Sequence, residues 1–253
     1  MINLQLHWYF IIAILLFLAG FIDSIAGGGG LISLPAYLIA GVPAHMAIAT
    51  NKLSSTFGTT VATLRFIREK KVLLKCALPA TVGALLGSPV GARIALLTDE
   101  SVLKIILLVI LPVLALFIVF KKDFGETDRE TKLPPLAYGL ISGLIGLTIG
   151  FYDGFFGPGT GTFLILVFTA LLGQDLIRAS SNAKIVNLTS NIAALVTFLA
   201  SGKVLVVLGL IGAVFNMLGN WLGSSLAILK GSKIIKPVFI VVISLLFLRI
   251  ITQ

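Results

Sequence analysis

Ten apolar runs separated by short polar punctuation dominate this chain. They fall at residues 6–26, 30–42, 45–67, 72–97 and 101–120, and again at 136–155, 158–172, 178–200, 204–229 and 234–252. Most approach the roughly 20 residues that a helix needs to cross about 30 Å of hydrocarbon. In lipid every backbone N–H and C=O needs an internal partner, so spanning structures are helices or closed barrels. The alternating ten-residue strands of a barrel are absent. The sequence therefore predicts an all-α polytopic membrane protein. Composition agrees: 58% of the 253 residues are hydrophobic and 11% are charged, against roughly 25% charged in soluble domains.

The formal net charge of +9 could suggest nucleic acid, but in a multispanning chain it reads as an excess of Lys and Arg in cytoplasmic loops. No nucleic-acid partner is expected; the solvent for most of the surface is the lipid bilayer. The first run has no Lys or Arg before it and no small-residue cleavage site after it, so it reads as a retained span, not a signal peptide. His7, Trp8 and Tyr9 fit an interfacial aromatic belt. The single cysteine, Cys76, excludes an intrachain disulfide and a cysteine-based metal cluster, and no cofactor or metal is expected.

A hydrophilic stretch from Lys121 to Pro135 divides the runs into two sets of five. The expected organisation is an N-terminal transmembrane repeat over 1–120, a cytoplasmic connector over 121–135 and a C-terminal repeat over 136–253. GFIDSIAGGGG (Gly20 to Gly30) matches GFYDGFFGPGT (Gly150 to Thr160), aligning Asp23 with Asp153 and Gly27 with Gly157. Lys52 aligns with Lys184, Lys71 and Val72 with Lys203 and Val204, and GSPVGA at Gly87 with GNWLGS at Gly219. From Lys52 to Gly91 the matches keep one offset without a gap, which marks a duplication.

Counting crossings gives the sense of the repeat. The basic loop from Arg65 to Lys75 and the cluster Lys230, Lys233 and Lys236 should both be cytoplasmic. Five segments per half put both, with the connector, on one side, and leave the termini outside in a multi-pass plasma-membrane protein. The expectation is two inverted repeats of about five segments, 8–10 transmembrane helices in all. Runs 30–42 and 158–172 are too short for comfortable spans, so their discontinuous helices should start partway into the membrane.

Non-helical backbone at membrane depth is tolerated only against protein or a water-filled cavity. Gly27, Gly28, Gly29 and Gly30, and Gly157, Gly159 and Gly161 in the second half, thus mark buried, cavity-lining breaks, and short or Gly/Pro-interrupted segments at matching positions point to a transporter's binding site. A helix starting just after such a break, around Leu31 or Thr162, would point free N–H groups and its positive dipole end into that cavity, an end that suits an anion. Gly83, Gly87 and Gly91, four residues apart, read instead as a helix-packing stripe. No Lys-Ser or Lys-Thr follows the glycine run, which excludes a phosphate-binding loop.

Lys52 and Lys184 lie several residues inside spans, where a charge is a functional candidate by default. With Asn51, Ser55, Asn182, Asn187 and Asn191 they could replace the hydration shell of an oxyanion. The alternative is that each lysine pairs with Asp23 or Asp153 for packing or gating. The carboxylates in turn either balance the lysines or carry coupling protons.

These same stretches, with ATNKL (Ala49 to Leu53) and SNAKIVN (Ser181 to Asn187), resemble the TauE/SafE family of membrane transporters, also described as the sulfite exporter or domain-of-unknown-function 81 family. The resemblance covers essentially the whole chain. It implies a plasma-membrane transporter of small anions, often sulfur oxyanions or organosulfonates. The second half departs from the motif: Pro158 and Thr160 interrupt its glycines, and Ala183 stands where Asn51 stands. The expected function is a secondary transporter that exports a sulfite-, thiosulfate- or sulfoacetate-type anion by alternating access, acting alone or as a homodimer. An anion channel, or a carrier for a non-sulfur organic anion, is the alternative. With only His7 and His45 as histidines, and no Ser/His/Asp set, an enzyme is not expected.

Overall fold

The computed structural model describes residues 5–99, 101–102, 133–231 and 233–234. All but the first residues of the fifth segment of each half (103–120 and 235–252), Lys236, residues 121–132 of the connector and the chain termini lie outside the described residues. Within them the secondary structure is all helical: α1 (Leu6–Ala26), α2 (Gly30–Ile39), α3 (Ala44–Arg68), α4 (Leu74–Leu97), α5 (Pro135–Phe155), α6 (Thr160–Leu172), α7 (Leu176–Ala200) and α8 (Val206–Lys230). Five of these, α1, α4, α5, α7 and α8, are long and apolar enough to cross a membrane. The 25-residue α3 has the length but not the hydropathy. Thr50, Asn51, Lys52, Ser54, Thr59 and Thr63 dilute it, and all are buried inside the protein, away from lipid.

Small residues set the helix directions. The stripe Gly83, Gly87 and Gly91 of α4 lies against the backbone at Gly143, Leu147 and Phe151 of α5, so these helices run parallel at close range. Gly219 and Gly223 of α8 meet Phe17 and Phe21 of α1 in the same way. Such stripes let backbones approach where lipid supplies no hydrophobic drive between helices. α3 runs parallel to α8, with Thr50 bonded to Leu205 N at one end and Arg65 over the Trp221 ring at the other. α3 and α7 are antiparallel: Lys52 reaches Asn191, while Thr63 Oγ1 bonds Lys184 O. α1, α3 and α8 thus point one way and α4, α5 and α7 the other, as an inverted repeat requires.

The packing units are not the two sequence halves. α8 of the second half packs on α1 and α3, and α4 of the first half packs on α5 and α7. With α2 leaning on α1 and α3, and α6 on α5 and α7, the described chain forms two four-helix bundles that have exchanged one helix. Two apolar cores result, each centred on one bundle and completed by helices of the other. One gathers Ile12, Leu34, Tyr37, Ala47 and Leu208, the other Phe66, Ala80, Tyr138, Leu164 and Leu172, with neighbouring helices contributing to both.

α2 turns the chain back towards the face where α1 begins, and α6 does the same for α5. Both start midway, as their length demanded: ten residues cover only about 15 Å. The return keeps the parity of five crossings. Arg68, Lys70, Lys71, Lys75, Arg178 and Lys230 therefore share one face, and Arg93 and Lys203 lie towards the other, where His45 Nε2 bonds the carbonyls of Ala95 and Thr98.

Candidate functional site

The two glycine breaks meet. α1 ends at Gly27, whose φ of 81° closes the helix with a bond from its N–H to Asp23 O at 2.8 Å. A side chain at Gly27 would collide with Gly161 and Thr162, since Thr162 N–H donates to Gly27 O and Thr162 Oγ1 to Ala26 O. Gly30 faces Pro158. The hairpin tips α1–α2 and α5–α6 are thus zipped together beside the crossing of α3 and α7, on the seam between the bundles. Most first-turn amides are used locally: Leu31 N–H turns back to Gly28 O, and Ile32 and Ser33 N–H to Gly29 O. What α2 and α6 offer the seam is their dipoles and side chains, not the open row of N–H groups expected from sequence.

Two ion pairs cross the seam. Lys52 Nζ of α3 lies 2.8 Å from Asp153 Oδ2 of α5, and Lys184 Nζ of α7 lies 2.9 Å from Asp23 Oδ2 of α1. Lys184 also donates to Asp23 O. Each lysine pairs with the carboxylate of the opposite half. The expectations of buried lysines and of lysine–carboxylate pairs therefore meet in one arrangement. Four charges are buried and sum to zero, which avoids the several kcal/mol of desolvation that an unpaired ion would cost.

Between the pairs lies a cavity of about 20 Å³, room for about one water. Asp23, Lys52 and Asp153 line it, with Asn51 and Ser55 from α3, Asn187 and Asn191 from α7, and Gly29 and Gly30 from the first break. Lys52 Nζ donates to Asn191 Oδ1 at 3.0 Å, and Asn191 Nδ2 to Asn187 Oδ1 at 3.1 Å. The lining also includes Gly27, Gly157 and Gly161 of the two breaks, as expected, and Thr59, Thr160 and Asn216, which the sequence reading did not select. A signal existed for some of them: Thr160 and Thr59 align with Gly30 and Asn191, and Asn216 is an amide inside the apolar run 204–229.

Other expected residues stand elsewhere. Lys184 is fully buried behind Asp23 and outside the cavity wall. Asn182 is held near the basic face, accepting from Leu73 N at 2.9 Å and donating to Gln174 Oε1 at 2.8 Å. Gly28 and Gly159 shape the breaks without lining the cavity, Gly159 as the N-cap of α6 at φ 79°. Asp175 caps α7 through Ile177 N and Arg178 N.

Comparison with known proteins agrees with the fold. The model of the family described as sulfite exporter TauE/SafE matches residues 12–250. A probable membrane transporter protein, ORF9, of a Sinorhizobium species is 41% identical over 251 residues, 99% of this chain and 95% of the relative. The probable membrane transporter protein YfcA of Escherichia coli K12 is 41% identical over 225 residues, 89% of this chain and 82% of that one. YunE of Bacillus subtilis, named in the same terms, is 23% identical over 240 residues, 86% of each chain. No solved structure matches. With the polytopic helical fold, these matches establish that the chain belongs to the TauE/SafE sulfite exporter family and is a membrane transport protein.

Proposed function

We propose that the protein is a secondary transporter of a small anion of the sulfite, thiosulfate or sulfoacetate type, exporting it by alternating access around the seam between the bundles. One observation carries the reading: a midplane cavity holds Lys52 among amide and hydroxyl groups, and ion pairs between the bundles border it. Inverted repeats, broken helices and a site at their interface are the features of such carriers. Rocking one bundle against the other would open the seam to one face at a time, breaking one pair while the other holds.

The functional residues in this reading are Lys52, Asn51, Ser55, Asn187 and Asn191 for the anion, Asp153 and Asp23 for charge balance and coupling, and Lys184 as the counter-ion of Asp23. Asn182 serves packing. The basic face faces the cytoplasm, since Lys and Arg concentrate in loops on that side; the connector shares that side and the termini lie outside, in the plasma membrane. The test is counterflow of labelled sulfite, thiosulfate or sulfoacetate in liposomes. Saturable exchange without conductance is expected. Large unitary currents would make the protein a channel, and exchange of carboxylates alone would make it a carrier of non-sulfur anions.

A further inference from the structure

The two lysine–carboxylate pairs match in sequence and differ in surroundings. Asp153 accepts from three side chains on three helices: Lys52 Nζ of α3 at 2.8 Å from Oδ2, Ser190 Oγ of α7 on the same oxygen, and Thr160 Oγ1 of α6 at 2.7 Å from Oδ1. Where Thr160 and Ser190 stand, the first half has Gly30 and Gly58. The room beside Gly58 is taken, because a Cβ there would run into Asn216 Oδ1. Among the described residues, the Asp23 carboxylate has Lys184 and the Gly29 amide at 3.4 Å. One carboxylate lies in a cradle, and the other forms a plain ion pair.

An ammonium and two hydroxyls converging on one buried anionic group are the donors an oxyanion needs once it gives up its water. Asp153 is 1% exposed. With room for about one water beside it, the cavity admits no sulfonate- or carboxylate-sized group while Asp153 fills the cradle. We propose that Asp153 is a built-in stand-in for the substrate. The transported anion presents a singly charged carboxylate- or sulfonate-like head, which displaces the Asp153 carboxylate from Lys52, Thr160 and Ser190. This inference rests on the transport reading above and names the seat and charge of the head.

Charge balance adds a condition. Lys52, Lys184, Asp23 and Asp153 sum to zero, so an added anion leaves an uncompensated buried charge unless Asp153 takes a proton from water as it leaves Lys52. One proton binds with each anion, and binding strengthens as pH falls. The ionisable groups sharing the cavity wall with Asp153 are Lys52 from α3 and Asp23 from α1; the adjacent Tyr152 turns its hydroxyl to Pro158 O. Helices α6, α7 and α8 present the neutral Thr160, Ser190, Asn191 and Asn216.

The test melts full-length protein in detergent with sodium formate, acetate or methanesulfonate, against sodium chloride at equal ionic strength. Asp153→Ala empties the cradle, and saturating formate or acetate is expected to raise its Tm by about 5 °C or more. Wild type near pH 8 and an Asp153→Ala/Lys52→Met double variant should gain nothing. Should Asp153→Ala not fold, Asp153→Asn decides: its anion affinity should vary less than about twofold between pH 6 and 8, where wild type loses up to about tenfold per unit. Equal shifts in every protein, or a variant that keeps the wild-type pH dependence, overturns the stand-in. Counterflow by wild type separates the two readings. Exchange with no cradle effect overturns only the stand-in; no exchange of any anion overturns both.

Discussion

Lys184→Met tests whether the pair at Asp23 holds the bundles together. Lys184 Nζ is 2.9 Å from Asp23 Oδ2, with side-chain exposures of 0% and 12%. Without it the carboxylate keeps, among the described residues, one weak contact, the Gly29 amide at 3.4 Å. Breaking a buried pair by removing one partner costs about 3–5 kcal/mol. The residual exposure of Asp23 puts the loss near the low end, about 3 kcal/mol, or about 6–12 °C in Tm for a chain of this size. Adding Asp23→Asn removes the orphaned charge while an amide oxygen still accepts from Gly29. The double variant should therefore recover about 2 kcal/mol, and the coupling energy of the cycle should exceed about 1 kcal/mol. Trp8 and Trp221 report melting by intrinsic fluorescence. A double variant that melts at or below Lys184→Met, with coupling within about 0.5 kcal/mol of zero, refutes the reasoning. The double variant, which keeps the buried charges balanced, should also keep anion affinity in a binding titration within a few-fold, because Lys184 does not touch the cavity.

Gly161→Ala puts a methyl group 2.6 Å from Gly27 Cα; overpacking of the zipped tips should cost about 1–3 kcal/mol, read as a lower Tm with slowed counterflow, and an unchanged Tm would mean the tips do not touch. Asn182→Ala strands Leu73 N and Gln174 and should lose about 1–3 kcal/mol of stability with unchanged anion affinity in a binding titration; lost affinity would return Asn182 to the site. In a Cys76→Ala background, Lys70→Cys and Lys230→Cys should react with an impermeant maleimide only in inverted vesicles, and Lys203→Cys only in intact cells; opposite labelling of Lys70 and Lys230 would break the inverted topology.

The repeat, its inversion and the glycine breaks were legible because they depend on apolar run length, loop charge and local backbone demands. The bundles were not. That α4 packs on α5 and α8 on α1 is written in stripes such as Gly83, Gly87 and Gly91, which announce a close partner but not which one. The site shows the same division. Asn187 and Asn191 follow Lys184 on one helical face and reach the cavity. Asn182 is five residues before Asn187, rotated by about 140° at 100° per residue, and points elsewhere. Ser190 could not be read, because its function comes from Asp153, 37 positions away in sequence.

The four charges pair crosswise between the bundles, and the exchanged helices α4 and α8 carry none of them. Asp23 and Lys52 lie in the bundle of α1, α2, α3 and α8, while Asp153 and Lys184 lie in that of α4, α5, α6 and α7. Pairing within a half would place both charges of the second half inside one bundle, and both of the first inside the other, leaving the seam without charge. Pairing across halves puts both salt bridges on the seam, where relative motion of the bundles breaks or makes them. The apolar contacts within each bundle are close backbone packings at small residues, costly to slide. Around the cavity the seam is polar, and each polar group that lets go there can be met by water or by an anion, while Phe66, Phe156 and Phe198 pack across its flanks. On the transport reading proposed above, the surface along which the bundles would move is the one that holds the cavity, and there an anion at Lys52 would change the balance between the two positions.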